Sequence, residues 1–139
     1  KYFNKKIEAI HIGNGNIFGN IASIAAYTEG HEWVDELNAY IESNVGYVMK
    51  YCSEHIPEII PVRTEATYMI WLDCRKLAMS GKELQDFFVN RARVGMNEGS
   101  AFGPGGEGFM RMNLGTQRSN VIKAMEQIEK AIEQIGKKK

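Results

Sequence analysis

A single arginine stands in the run Phe109-Met110-Arg111-Met112-Asn113, directly after a stretch, residues 98–108, that holds five of the chain's fourteen glycines. Arginine is the side chain best shaped to fork onto a carboxylate or a phosphate, because its N–H donors lie parallel in one plane. Met110, Met112 and Leu114 alternate with Arg111 and Asn113. That alternation predicts a strand with one packed face and one face presenting a guanidinium beside an amide. The plainer alternative for Arg111 is a solvated arginine on an exposed sheet face. The glycines ahead of it are open to several readings: a nucleotide cradle, a flexible hinge, a lid over something that Arg111 holds, or an ordinary flexible connection between strands.

The nucleotide cradle fails on context. Gly103, Gly105 and Gly108 have the spacing G-x-G-x-x-G, but a dinucleotide fingerprint needs a helix opening at the third glycine and an acidic residue about 20 positions on. Gly108 opens a period-two run instead, and Pro104 sits inside the supposed phosphate turn. No Gly-Lys-Ser/Thr closes the stretch, so a Walker loop is excluded as well. Other reactive residues are scattered. Cys52 and Cys74 form no C-x-x-C and no disulfide framework. His11, His31 and His55 show no metal-ligand spacing and read as surface or capping histidines, so no metal is expected.

Composition narrows the partners. The 139 residues are 44% hydrophobic and 24% charged, and seventeen basic side chains balance seventeen acidic ones. No broad basic field favours nucleic acid or an anionic membrane, and the terminal Lys137-Lys138-Lys139 reads as a solvated tail. No run is long and apolar enough to span a bilayer, and the thiols fit a reducing cytoplasmic setting. The chain begins at Lys1 without a methionine, which raises the expectation of a piece of something longer.

The elements that must hold Arg111 follow from periodicity. A short amphipathic opening runs to a turn at Gly13, Asn14, Gly15 and Asn16. A compact apolar helix over residues 17–27 then ends near Gly30. Trp33, Leu37, Tyr40, Ile41, Val45, Val48, Cys52 and Ile56 recur at three- and four-residue steps, predicting a helix of about 25 residues that Pro57 stops. Its length, close to 40 Å, suits a bridge between two bodies. Strands are predicted at IIPVR and over residues 67–74, the latter apolar on both faces and expected to be covered on both, with Tyr68 and Trp71 in the core. Ser80 and Glu83 have capping-box spacing ahead of a helix that turns Leu84, Phe87, Phe88 and Ala92 inward. VGMN reads as a short strand before the glycines. Thr116 is expected to cap a last helix burying Val121, Ile122, Met125, Ile128, Ile132 and Ile135, with Glu126 and Lys130 paired outside. The expected fold class is α+β: a small, mainly antiparallel sheet packed with helices and preceded by a long inter-domain helix.

These residues carry a resemblance. The strand E-A-T-Y-M-I-W-L-D, the loop N-E-G-S-A-F-G-P-G-G-E-G-F and the R-M-N beyond it resemble the C-terminal domain of fold type I pyridoxal-phosphate enzymes. Within that fold they are most similar to the MalY/PatB-type group of cystathionine β-lyases and aminotransferases. The upstream GNGNIFGNIASIAAYTEGHEWVDELNAYIESN fits too, so the likeness covers nearly the whole chain. One departure is Gln117, where the group usually has a proline opening the last helix.

The resemblance implies residues 1–29 as the end of a large cofactor domain with its linker, and residues 30–139 as the small domain. It implies a C–S β-lyase or an aminotransferase acting on amino acids in a homodimer, with the cofactor as electron sink. The lysine that holds the cofactor would lie upstream of the matched stretch; none of the lysines here has its sequence context. No pyridoxal phosphate is therefore expected on this chain by itself, and no activity. Arg111 would bind the substrate's α-carboxylate, with Asn113, Phe102 and Gly103 beside it on a loop that closes over the amino acid. Asn14, Gly15 and Asn16 would approach the partner subunit's active site, or else form a plain turn. Self-association or swapping through the segment before Gly30 is expected if its apolar residues lack a large domain to cover them. The alternative function is a free-standing, non-catalytic module that binds small carboxylates.

Overall fold

The computed structural model describes residues 1–10 and 16–136. The chain divides into two compact units, Lys1–Ala39 and Tyr40–Lys139. In the first, α1 spans Tyr2–Ala9 and α2 spans Ile17–Glu29. Asn16 starts α2, its Oδ1 accepting the Gly19 N–H at 2.7 Å, which satisfies one donor the first helical turn leaves free. Neither helix buries a residue, so Ile17, Phe18, Ile21, Ile24 and Tyr27 all lie exposed.

Helix α3, His31–His55, crosses from the first unit into the second and ends two residues before Pro57, as the periodicity predicts. Its burial begins only at Ile41 and continues through Asn44, Val45, Val48 and Cys52, whereas Trp33 is exposed. Asn44 is the one polar residue among the buried side chains described. Its amide donates to the Leu114 carbonyl at 2.9 Å and the Thr116 carbonyl at 3.2 Å, tying α3 to the segment between the sheet and the last helix.

The second unit holds four strands in the order β1-β2-β4-β3, all antiparallel. They are β1 Ile60–Val62, β2 Met69–Asp73, β3 Asn97–Glu98 and β4 Phe109–Asn113. Ile70, Leu72, Met110 and Met112 form the buried face, in one core with Val45, Val48, Leu84, Phe88, Val121, Met125 and Ile128. The opposite face stays open: Trp71 is half-buried and Tyr68 is 47% exposed. The expectation of a strand covered on both faces, with both aromatics in the core, is corrected here. Apolar residue types on alternate positions announce burial only where a second layer follows, and among the described residues this side meets Phe102 and the glycine loop rather than a full layer.

Helix α4, Gly81–Asp86, has the predicted capping box between Ser80 and Glu83. It runs into a π turn over Phe87–Arg91, closed by the Ala92 N–H donating to the Phe87 carbonyl at 2.9 Å. The wider turn lets the adjacent Phe87 and Phe88 both point inward, their rings edge to face at 5.2 Å. VGMN does not form a strand as a unit; pairing starts at Asn97 and lasts two residues. Helix α5 spans Arg118–Gly136. Thr116 stands ahead of it and accepts from the Asn120 side-chain amide at 2.9 Å, while the Gln117 carbonyl takes the first backbone bonds. The buried stripe of α5 is Val121, Met125, Ile128 and Ala131, with Ile122, Ile132 and Ile135 at its half-exposed margins. Among the described residues Glu126 and Lys130 form no ion pair. Glu129 instead accepts from the Tyr51 hydroxyl and lies 3.3 Å from His55 Nδ1.

Candidate functional site

The open sheet face is built by register. Trp71 stands opposite Arg111 on β2, and Asn97 stands opposite it on β3, so the guanidinium rises between an indole and an amide. The pairs Met69–Asn113 and Asp73–Phe109 continue the same face on either side. Phe102 arrives from outside the sheet, at the end of a 3-10 turn over Gly99–Phe102. Glu98 caps this turn, its Oε2 accepting from the Ser100 N–H at 3.1 Å and from the Ser100 hydroxyl. Beyond Phe102 the chain reverses through Gly103, Gly105 and Gly108, whose φ values of 120°, 89° and 80° lie where other residues are strained. The glycines are therefore used for backbone shape, and no helix of the chain starts among them.

The Arg111 Cζ lies 4.0 Å from the centre of the Phe102 ring. Phe102 in turn forms a T-shaped pair with Trp71, the ring centres 5.4 Å apart at an interplanar angle of 89°. Two cavities open on this face. One of about 380 Å³ is lined by Val62, Trp71, Phe102, Phe109 and the glycine loop. The other, of about 430 Å³, is lined by Arg63, Thr64, Tyr68, Trp71 and Arg111, among others. Trp71 is common to both.

The charges around this face separate its arginines. Arg63 pairs with Glu42, and Arg75 forks onto Asp73 through Nε at 2.9 Å and Nη2 at 2.7 Å. Hydrogen bonding from Arg75 holds the Asp73 carboxyl below its ordinary range. Arg111 has no acidic partner among the described residues. Its Nη2 reaches Asn97 Oδ1 only at 3.5 Å, and its buried Nε has no hydrogen-bond partner. A carboxylate or a phosphate is the kind of group that satisfies such a fork.

The other expected residues fall as follows. Asn113 is on the same face, but its Oδ1 accepts the Gly115 N–H at 2.8 Å and closes a local turn. Gly103 lines the smaller cavity. Asn14 and Gly15 lie outside the described residues, as does His11. Asn16 is described, as the cap of α2. Trp71 is the neighbour of Arg111 that sequence reasoning missed; its place there depends on strand register, which residue types do not reveal. Cys52 and Cys74 are buried, and burial pushes both thiols up to about 12, far from reactive. No cluster that could hold a metal occurs among the described residues, and no helix is long and apolar enough to cross a membrane.

No protein-family model matches the chain. It is 34% identical over 130 residues to the cystathionine beta-lyase PatB of Bacillus subtilis, covering 94% of this chain and 34% of PatB. It is 31% identical over 121 residues to the protein MalY of Escherichia coli, covering 87% and 31%. Among solved structures it is similar to cystalysin of Treponema denticola, which contains pyridoxal 5'-phosphate. There the TM-score is 0.84 at 32% identity, covering 86% of this chain and 30% of that one. The fold is that of the C-terminal domain of fold type I pyridoxal-phosphate enzymes. Aspartate aminotransferases of Pyrococcus are also among the relatives, so lyases and transaminases share this domain. The chain spans about a third of the length of the curated relatives it matches. No lysine lines either cavity beside Trp71, so these residues do not by themselves make a pyridoxal-phosphate site.

Proposed function

We propose that this chain is the substrate-gripping C-terminal domain of a pyridoxal-phosphate enzyme acting on amino acids, either a C–S β-lyase of the cystathionine β-lyase kind or an aminotransferase. Arg111 binds the substrate's α-carboxylate. The observation that carries this reading is the state of Arg111: half-buried and without an acid partner, on a sheet face whose neighbouring arginines are both paired. A surface arginine with no task is normally solvated, whereas a buried, unpaired Nε is costly unless a ligand completes it. Phe102 and Gly103 border the place that ligand takes, and Asn113 shapes the strand end beside it.

In this reading residues 1–29 end the large domain and its linker, and residues 30–139 form the small domain of a homodimer. Asn14, Gly15 and Asn16 approach the partner subunit's active site. The cofactor's lysine lies elsewhere in the enzyme, so the 139-residue chain alone is inactive. Both candidate reactions act on an α-amino acid, and both need the same grip on its carboxylate.

The test is to assay the full-length enzyme with cystathionine and with an amino-acid and keto-acid pair. Turnover of either supports the reading, and the preferred reaction separates lyase from transaminase. Carboxylate binding without turnover of either overturns it in favour of a non-catalytic module.

A further inference from the structure

An arginine side chain is long, and a carboxylate rewards it only if the plane of the fork is held still before the ligand arrives. The usual means is a carboxylate or carbonyl partner behind the guanidinium. Among the described residues Arg111 lacks one: the contact to Asn97 at 3.5 Å is at the limit of a hydrogen bond, and Nε has none. Its close contact is the Phe102 ring, 4.0 Å from Cζ. A ring on the face of a guanidinium is attracted by the π quadrupole and leaves the in-plane N–H donors unused.

Phe102 is itself held from two sides. Trp71 packs against it in a T-shaped pair, the ring centres 5.4 Å apart. The Glu98 carboxylate fixes the 3-10 turn that carries it by binding Ser100. The turn is pinned further where Gly99 and Gly106 pass so close that a Cβ on either would lie 2.0 or 2.1 Å from the other's carbonyl oxygen. All of this ordering ends on a phenyl ring that is 49% exposed and contributes little to the core.

We propose that Phe102, braced by Trp71, is the positioning residue of Arg111: it orients the guanidinium plane so that the N–H edge is presented to a carboxylate. This rests on the reading of Arg111 as the carboxylate site and deepens it, because it assigns Phe102 an action on the arginine rather than on the substrate.

The test uses the 139-residue chain with 15N-labelled arginine, following the Arg111 Nε–H resonance, identified by its loss in Arg111→Lys, while sodium propionate is added. In the wild-type chain the ring displaces that resonance upfield, and propionate moves it further. Phe102→Tyr keeps the ring and both effects. Phe102→Leu keeps an apolar side chain but loses the displacement, and weakens propionate binding about three- to thirtyfold, the range of a cation–π contact. Far-UV circular dichroism and the melting temperature stay those of the wild type. An undisplaced resonance in the wild-type chain overturns the stack without recourse to any variant. Unchanged propionate affinity in Phe102→Leu overturns the positioning role while leaving Arg111 as the carboxylate site. A wild-type Arg111 signal that propionate does not move overturns both.

Discussion

Two side chains carry more than their residue types suggest. Asn44 sits at zero exposure on an otherwise apolar helix stripe, because the Leu114 and Thr116 carbonyls that leave β4 have no strand to pair with. Asn44→Ala strips both of their donor, and a buried group left unsatisfied costs about 1–3 kcal/mol. Chemical denaturation should show that loss as a lower midpoint with an unchanged slope; a loss below about 0.5 kcal/mol would contradict the role. Asp73 behaves differently. Its carboxyl is held low by the Arg75 fork, so the pair contributes stability above the ordinary carboxylate range, and that stability is lost as pH falls through the lowered value. Arg75→Ala should therefore lower the melting temperature at neutral pH, change it little below the lowered value, and so flatten the acid limb of the profile. An unchanged acid limb would show that Asp73 is held low by something else.

Elements whose causes are local were legible in the sequence. The capping box needs only Ser80 and Glu83 three residues apart, and Pro57 ends α3 through its own ring. The face on which Arg111 lies was legible because strand alternation sets it whatever surrounds the strand. The failures share a different cause. Residue type places Trp71 and Tyr68 in the core, yet burial needs a second layer on their side of the sheet, and Trp71 is only half-buried and Tyr68 exposed. The buried stripe of α5 is narrower than its apolar residues suggest, with Ala131 buried where Ile132 is half-exposed. Asn44 was invisible because its partners are 70 and 72 positions away. At this scale the glycine turn gives a paired prediction. Gly99→Ala puts a methyl 2.0 Å from a backbone oxygen that cannot rotate away, whereas Gly95→Ala meets nothing within 4 Å. The first should destabilise by about 1–3 kcal/mol, as overpacking does, and the second by less than about 0.5 kcal/mol. Equal melting temperatures for the two variants would show that the turn yields more readily than its geometry implies.

The molecule as a whole is uneven. Its second unit has a closed core, while α2 presents Ile17, Phe18, Ile21, Ile24 and Tyr27 to solvent, Phe18 at 84% exposure. A contiguous apolar patch of this kind drives association when nothing covers it. The 139-residue chain should self-associate with rising concentration in light scattering, and Phe18→Glu with Ile24→Glu should reduce it. A strictly monomeric wild-type chain would count against this. The same unevenness frames the central claim, that a domain about one third the length of its relatives supplies the carboxylate grip while the cofactor is held elsewhere. The direct measurement is kcat/KM of the full-length enzyme, wild type and Arg111→Ala, for an amino-acid substrate and for its α-carboxamide. A charge-assisted hydrogen bond lost with the arginine is worth on the order of 1.5–3 kcal/mol. For the carboxylate substrate kcat/KM should fall at least about tenfold, toward several hundredfold, with Arg111→Lys restoring only part of it. For the carboxamide it should hardly change, and pyridoxal-phosphate absorbance should be retained throughout. Equal losses on both substrates, or none on either, would contradict the assignment of Arg111.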